Sequence, residues 1–119
     1  MRESGILMPV SSLPGPYGIG CFGKAAFQFV DFLSAAGQTI WQLLPLSPTG
    51  YGDSPYQSCS AFAGNPYFVD LEALEKEGLL TAADLKTESW GKDPLEVDYG
   101  TLYVSRFAVL RKAYAAWRS

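Results

Sequence analysis

The sequence predicts an α/β fold, and three stretches carry that expectation. Residues 5–10, Gly-Ile-Leu-Met-Pro-Val, are apolar without alternation, as strands covered on both faces are. A helix is expected over residues 24–36, where an apolar stripe begins just ahead of it: Phe22, Ala26, Phe29, Leu33 and Ala36 recur three and four apart. Residues 39–46 form a second apolar run, interrupted in polarity only by Gln42. Strand, helix and strand in that order make a right-handed βαβ unit with parallel strands.

Taken in order, the first strand has one awkward residue. Pro9 cannot donate to a ladder, so it belongs near the strand end. A proline- and glycine-rich loop spans 11–20. The helix follows, with Gly37 as its stop. Pro45 and Pro48 close the second strand. A long loop then runs to Tyr67. Residues 70–78 suit a short helix capped by Asp70 and stopped by Gly78, and Thr81 caps a further turn over 81–85. Residues 87–94 read as irregular. A last helix starts near Tyr99, with Tyr99, Tyr103, Phe107, Leu110, Tyr114 and Trp117 as its packing stripe. Trp41 and Trp117 are both expected in the core.

Composition removes several function classes. The chain has 119 residues, 48% hydrophobic and 18% charged, which is globular material rather than disorder. A net charge of −3 offers no basic surplus for nucleic acid or an anionic membrane. No apolar run approaches the ~20 residues of a membrane span, and Met1 to Val10 is no secretory signal, so the expectation is cytoplasmic. With no histidine and two cysteines, Cys21 and Cys59, a structural zinc site and a histidine-based triad are both excluded. The cysteines read as free thiols.

The long loop carries the chemistry. It reads Gly50-Tyr51-Gly52-Asp53-Ser54-Pro55-Tyr56-Gln57-Ser58 and continues through Ser60-Ala61-Phe62-Ala63-Gly64-Asn65-Pro66-Tyr67. Loops of such length are uncommon in compact domains unless functional. Aromatic faces suit the apolar side of a pyranose, and carboxylate and amide groups suit its hydroxyls. Turn chemistry alone accounts for Gly52, Asp53 and Pro55, but not for the flanking tyrosines. A second pattern, Gly18-Ile19-Gly20-Cys21-Phe22-Gly23, is a literal G-x-G-x-x-G opening a helix. A dinucleotide site needs that motif directly after the first strand and an acid near the end of the second. Here a loop intervenes, and the second run ends Leu44-Pro45-Leu46. Glycines allowing a tight turn account for it better, with a nucleotide-binding α/β domain kept as the alternative.

Together with Ser12-Leu13-Pro14-Gly15-Pro16-Tyr17-Gly18-Ile19-Gly20 and Trp41-Gln42-Leu43-Leu44-Pro45-Leu46, the long loop resembles the start of the 4-alpha-glucanotransferases, the amylomaltase or disproportionating-enzyme family. The resemblance spans about residues 4–117. It implies that residues 1–119 are the N-terminal part of a (β/α)8 barrel, which takes ~250 residues to close. The expectation is therefore a fragment of a longer enzyme.

The resemblance also implies a retaining double displacement. A segment of an α-1,4-glucan would pass to a 4-hydroxyl on glucose or a maltodextrin, without cofactor or metal. The family's aspartate nucleophile, glutamate acid/base and stabilising aspartate match no residue of this chain, so no catalytic residue is expected here. Asp31, Asp70, Glu72 and Asp98 read as solvated faces or helix caps. Tyr56 is implied as a platform beside the glucose at the scissile bond, with Asp53 and Ser54 next to it. Tyr51 and Tyr103 match an accessory glucan groove, and Tyr103 is equally readable as a packing rung of the last helix. A non-catalytic carbohydrate-binding piece is the remaining alternative.

Overall fold

The computed structural model describes residues 1–50 and 52–119. They form two compact units. The first comprises residues 1–15 and 19–69, and the second residues 16–18 and 70–119.

In the first unit, β1 (Gly5–Leu7) pairs in parallel with β2 (Ile40–Gln42), Gly5 opposite Ile40, Ile6 opposite Trp41 and Leu7 opposite Gln42. The parallel βαβ expectation holds, but both strands are shorter than the apolar runs. Pro9 is the cause at β1, since it heads a 3-10 turn, Val10–Ser12. The last ladder bond runs from the Met8 N–H to the Gln42 carbonyl at 3.1 Å, so residues 43–46 have no strand to pair with.

Side chains alternate across this short sheet. Ile6 and Trp41 are half-buried, while Leu7, Ile40 and Gln42 are exposed. Coverage on both faces is thus corrected to coverage on one. The covered face lies under α1 (Lys24–Ala35). Trp41 meets Phe29 edge-to-face at 4.9 Å and donates its Nε1–H to the Met8 carbonyl at 2.9 Å, as its expected core place requires. Val10, Leu13 and Ala26 are buried in the same cluster.

Helix α1 ends as its sequence dictates. Gly37 takes φ +75°, its N–H bonds to the Ser34 carbonyl, and the Gln38 N–H reaches the Leu33 carbonyl at 2.9 Å. This paired closure needs a left-handed residue, which glycine supplies without strain. Within the stripe, Ala26 and Leu33 are buried. Phe22 and Ala36 are exposed, and Phe22 meets Phe68 edge-on at 6.2 Å. After β2 no helix or strand occurs among the described residues until Asn65 caps a 3-10 turn, Pro66–Phe68, accepting the Tyr67 N–H at 3.0 Å.

The second unit is helical. α2 (Leu71–Lys76) is capped by Asp70, which accepts the Glu72 N–H at 3.1 Å, and Gly78 at φ +79° ends it. α3 (Ala82–Lys86) has a reciprocal capping box between Thr81 and Asp84. α4 (Tyr99–Arg118) is capped by Asp98 through the Thr101 N–H at 3.1 Å. Leu71, Leu80, Leu85, Val109 and Ala113 form its buried cluster. The expected packing stripe of α4 is not the buried one. Leu102, Ser105, Arg106, Val109 and Ala113 face inward, while Tyr103, Tyr114 and Trp117 are exposed. Trp117, expected in the core, is 69% exposed and stacks on Tyr114 at 5.9 Å.

Candidate functional site

The loop after β2 is tied at its base and again near its tip. The Asn65 N–H bonds to the Leu46 carbonyl at 2.8 Å, so the segment leaves and returns at one place. Further out, the Gly50 N–H meets the Gln57 carbonyl at 3.3 Å, and the Asp53 N–H meets the Gly50 carbonyl at 3.0 Å. Backbone groups that no helix or sheet pairs are satisfied here by turns and serines. Ser54 Oγ accepts the Tyr56 N–H at 3.3 Å, and Ser60 Oγ accepts the N–H groups of Phe62 and Ala63 at 3.3 and 3.2 Å.

Four of the five sequence-predicted residues lie among the described ones. Tyr56 is 74% exposed, its ring projecting from a loop whose backbone is fixed on both sides of it. Asp53 is half-buried at φ +54°, a left-handed position that aspartate tolerates better than most residues. Thr49 Oγ1 donates to Asp53 Oδ1 at 2.9 Å, so this carboxylate braces its own turn. Ser54 likewise serves the Tyr56 backbone. Asp53, Ser54 and Tyr56 therefore share one braced turn. Tyr103 is on α4 in the second unit, 69% exposed, with its ring 5.5 Å from that of Phe107. Tyr51 lies outside the described residues.

At the loop base an open cleft of about 590 Å³ is lined by residues 43–47 and 61–64. Phe62, wholly exposed, stands at its edge. Sequence reading singled out neither. The available signal was an aromatic residue set among small ones, Ser-Ala-Phe-Ala-Gly, where no turn requires it.

The arrangement suits binding rather than bond cleavage. Acid–base work on a glycoside needs two carboxylates across the bond, and residues 43–65 contain one, Asp53. Three acids elsewhere serve structure: Asp70, Asp84 and Asp98 hold helix starts. Among the described residues, no group of three or more His, Cys, Asp or Glu is placed to hold a metal. Cys21 is half-buried and Cys59 exposed, and neither is in a disulfide. The glycine motif also finds its account. A Cβ at Gly20 would overlap the Val10 carbonyl oxygen, so close backbone approach demands that glycine.

Comparison with known proteins then decides the lineage. The family model described as 4-alpha-glucanotransferase matches residues 8–119. The chain belongs to the 4-alpha-glucanotransferase family. A 4-alpha-glucanotransferase of Streptococcus pneumoniae serotype 4 is 57% identical over 112 residues, which is 94% of this chain and 22% of the relative. One from Clostridium butyricum is 53% identical over 112 residues, 94% of this chain and 23% of the relative. Among solved structures, the amylomaltase from Streptococcus agalactiae in complex with acarbose superposes with a TM-score of 0.93 at 49% identity. That match covers 98% of this chain and 23% of the other. The chain thus spans about a fifth of the length of the curated relatives it matches. None of the described helices is long and apolar enough to cross a membrane.

Proposed function

We propose that this chain supplies part of the glucan-binding cleft of a 4-alpha-glucanotransferase. The observation that carries the proposal is the family match across residues 8–119, which includes the whole braced loop. The enzyme would cleave an α-1,4-glucan, hold one part covalently, and transfer it to a 4-hydroxyl of glucose or a maltodextrin in the cytoplasm. The scaffold would be a (β/α)8 barrel. In such a barrel the loop after β2 stands at the carboxyl ends of the strands, where substrates bind.

The chain's own residues have defined tasks in this reading. Tyr56 offers an exposed ring face to the pyranose at the scissile bond. The turn built by Thr49, Asp53 and Ser54 holds the backbone that carries that ring, which lowers the ordering cost of binding. Asp53 and Ser54 stand next to it, within reach of sugar hydroxyls. By the same resemblance, Tyr51 and Tyr103 would serve long glucans rather than the short donor. The reacting carboxylates match no residue of this chain, so it binds and orients but breaks no bond alone.

The test is a chimera in which this chain replaces the matching segment of the S. pneumoniae relative. With maltotriose as sole substrate, the chimera should release glucose and build longer maltodextrins, while the 119-residue chain alone should do neither. A folded chimera that leaves maltotriose unchanged would overturn the proposal.

A further inference from the structure

Threonine-to-aspartate hydrogen bonds recur in this molecule, and one is unlike the others. Thr81 Oγ1 donates to Asp84 at 3.0 Å and Thr101 Oγ1 to Asp98 at 2.7 Å. Both pairs complete a helix start, where the aspartate also accepts a backbone N–H. Thr49 Oγ1 donates to Asp53 Oδ1 at 2.9 Å, and no helix begins there. What this bond holds is the joint of a double turn. The Asp53 N–H bonds to the Gly50 carbonyl at 3.0 Å and closes one turn, and the Gln57 N–H bonds to the Ser54 carbonyl at 3.1 Å and closes the next. Asp53 and Ser54 are where one turn passes the chain to the other. Tyr56 is the third residue of the second turn, behind Pro55 with its fixed φ. The joint is conformationally demanding: Gly52 at φ +91° and Asp53 at φ +54° are left-handed in succession. A non-glycine residue keeps that conformation only where its surroundings over-determine it. Thr49 stands outside both turns, next to Pro48, so its hydroxyl ties the double turn to the incoming chain.

We propose that Thr49 is a positioning residue of the transfer reaction. It keeps Asp53 left-handed and so holds Tyr56 where a pyranose meets its ring. The inference rests on the function proposed above and deepens it, because it gives a kinetic consequence to a residue that acts only through another. Without the hydroxyl the loop populates other backbone states, and substrate binds the fraction that retains the turn. Apparent affinity falls by that fraction. Turnover of the bound complex does not, since the ring is back in place once the turn has been selected. Loss of the tie therefore raises KM, whereas loss of the ring itself lowers kcat.

The experiment measures KM and kcat for maltotriose in the single-chain chimera. Thr49→Val, close in shape but without the hydroxyl, should raise KM about fivefold to tenfold and change kcat by less than about twofold. Thr49→Ser, which keeps the donor, should return KM to within about twofold of the parent. Thr49→Ala carries the same test should the valine variant not fold, with circular dichroism and the thermal midpoint as the check. Thr81→Val breaks the corresponding bond at α3, so it should lower the thermal midpoint and leave KM unchanged. In a Tyr56→Ala background, Thr49→Val should raise KM by less than about twofold, because the ring it positions is gone. A KM indifferent to loss of the hydroxyl overturns the inference, as does a fall in kcat alone. An equal rise in KM with and without the Tyr56 ring also overturns it, and would make Asp53 the group through which Thr49 acts on the sugar. An inactive chimera sinks the proposed function and this inference with it. An active chimera that responds to Tyr56→Ala but not to Thr49→Val sinks this inference and leaves the function standing.

Discussion

Helices α1 and α4 were read from sequence by the same rule and came out differently. On α1 the apolar stripe marks the buried side, with Ala26 and Leu33 at its centre. On α4 the aromatic row Tyr103, Tyr114 and Trp117 faces outward, while the neighbouring row through Leu102, Val109 and Ala113 is buried. Both rows repeat at three and four residues, so period alone does not choose between them. Side-chain size does: within the cluster, Val109 and Ala113 let Leu71, Leu80 and Leu85 come close, where a row of rings would hold them off. Helical periodicity finds a face, and only the partner settles whether that face is core.

That contrast is open to mutation. Leu33→Ala removes a buried leucine from α1 and should cost about 3 kcal/mol, read as a fall in the urea midpoint of the 119-residue chain. Phe27→Ala on the same helix should change it by less than about 0.5 kcal/mol, as exposed substitutions do. Comparable losses would mean that Phe27 is covered as well. On α4, Val109→Ala should cost about 2 kcal/mol, two buried methyl groups plus the space they leave. Trp117→Ala should again stay within about 0.5 kcal/mol, despite being the larger truncation. If Trp117→Ala proved the costlier, the aromatic row would be core after all.

The helix caps supply a smaller and more local test. Asp70→Ala should cost about 1 kcal/mol, because the Glu72 N–H loses its acceptor. Asp84 and Asp98 add a pH dependence. Asp84 is held below the ordinary carboxyl value of 3.8 by the backbone N–H and then the hydroxyl of Thr81. Asp98 is held below it by the hydroxyl and then the backbone N–H of Thr101. Both pKa values are lowered on folding. Their stabilisation is therefore complete above pH 3.8 and is lost as pH falls through the folded values. Helical signal from α3 and α4 should weaken below that point, and an Asp84→Asn, Asp98→Asn double variant should weaken less over the same range. An unchanged acid profile would remove the caps as its cause.

What sequence disclosed follows the same division. Asp70, Gly37, Gly78 and Thr81 were legible because capping is a contract among residues a few positions apart. Strand lengths were not, since apolar residues 43–46 become strand only beside a partner, and β1 stops at Pro9. The turn at Asn65-Pro66 was signalled by its asparagine–proline pair but lay hidden inside a long loop. Within the site, the clustering of Asp53, Ser54 and Tyr56 was legible from their adjacency. The bracing of the turn by Thr49 was not, because a threonine hydroxyl has many possible partners and only the folded backbone selects one. The exposure of Tyr103 depended on the α4 face and was equally hidden.

The most direct test of the account sets two exposed tyrosines against each other in the maltotriose-active chimera. Tyr56 is on the braced loop, and Tyr103 is on the outer row of α4. Tyr56→Ala should lower kcat and kcat/KM together by roughly a hundredfold, or about 2–3 kcal/mol, because its ring contact would strengthen as the sugar flattens toward the transition state. Tyr103→Ala should leave both constants for this short donor nearly unchanged and alter only the handling of long glucans. With folding of both variants confirmed by circular dichroism, a Tyr103→Ala loss equal to or larger than that of Tyr56→Ala on maltotriose would contradict the placement of the reacting glucose against the loop.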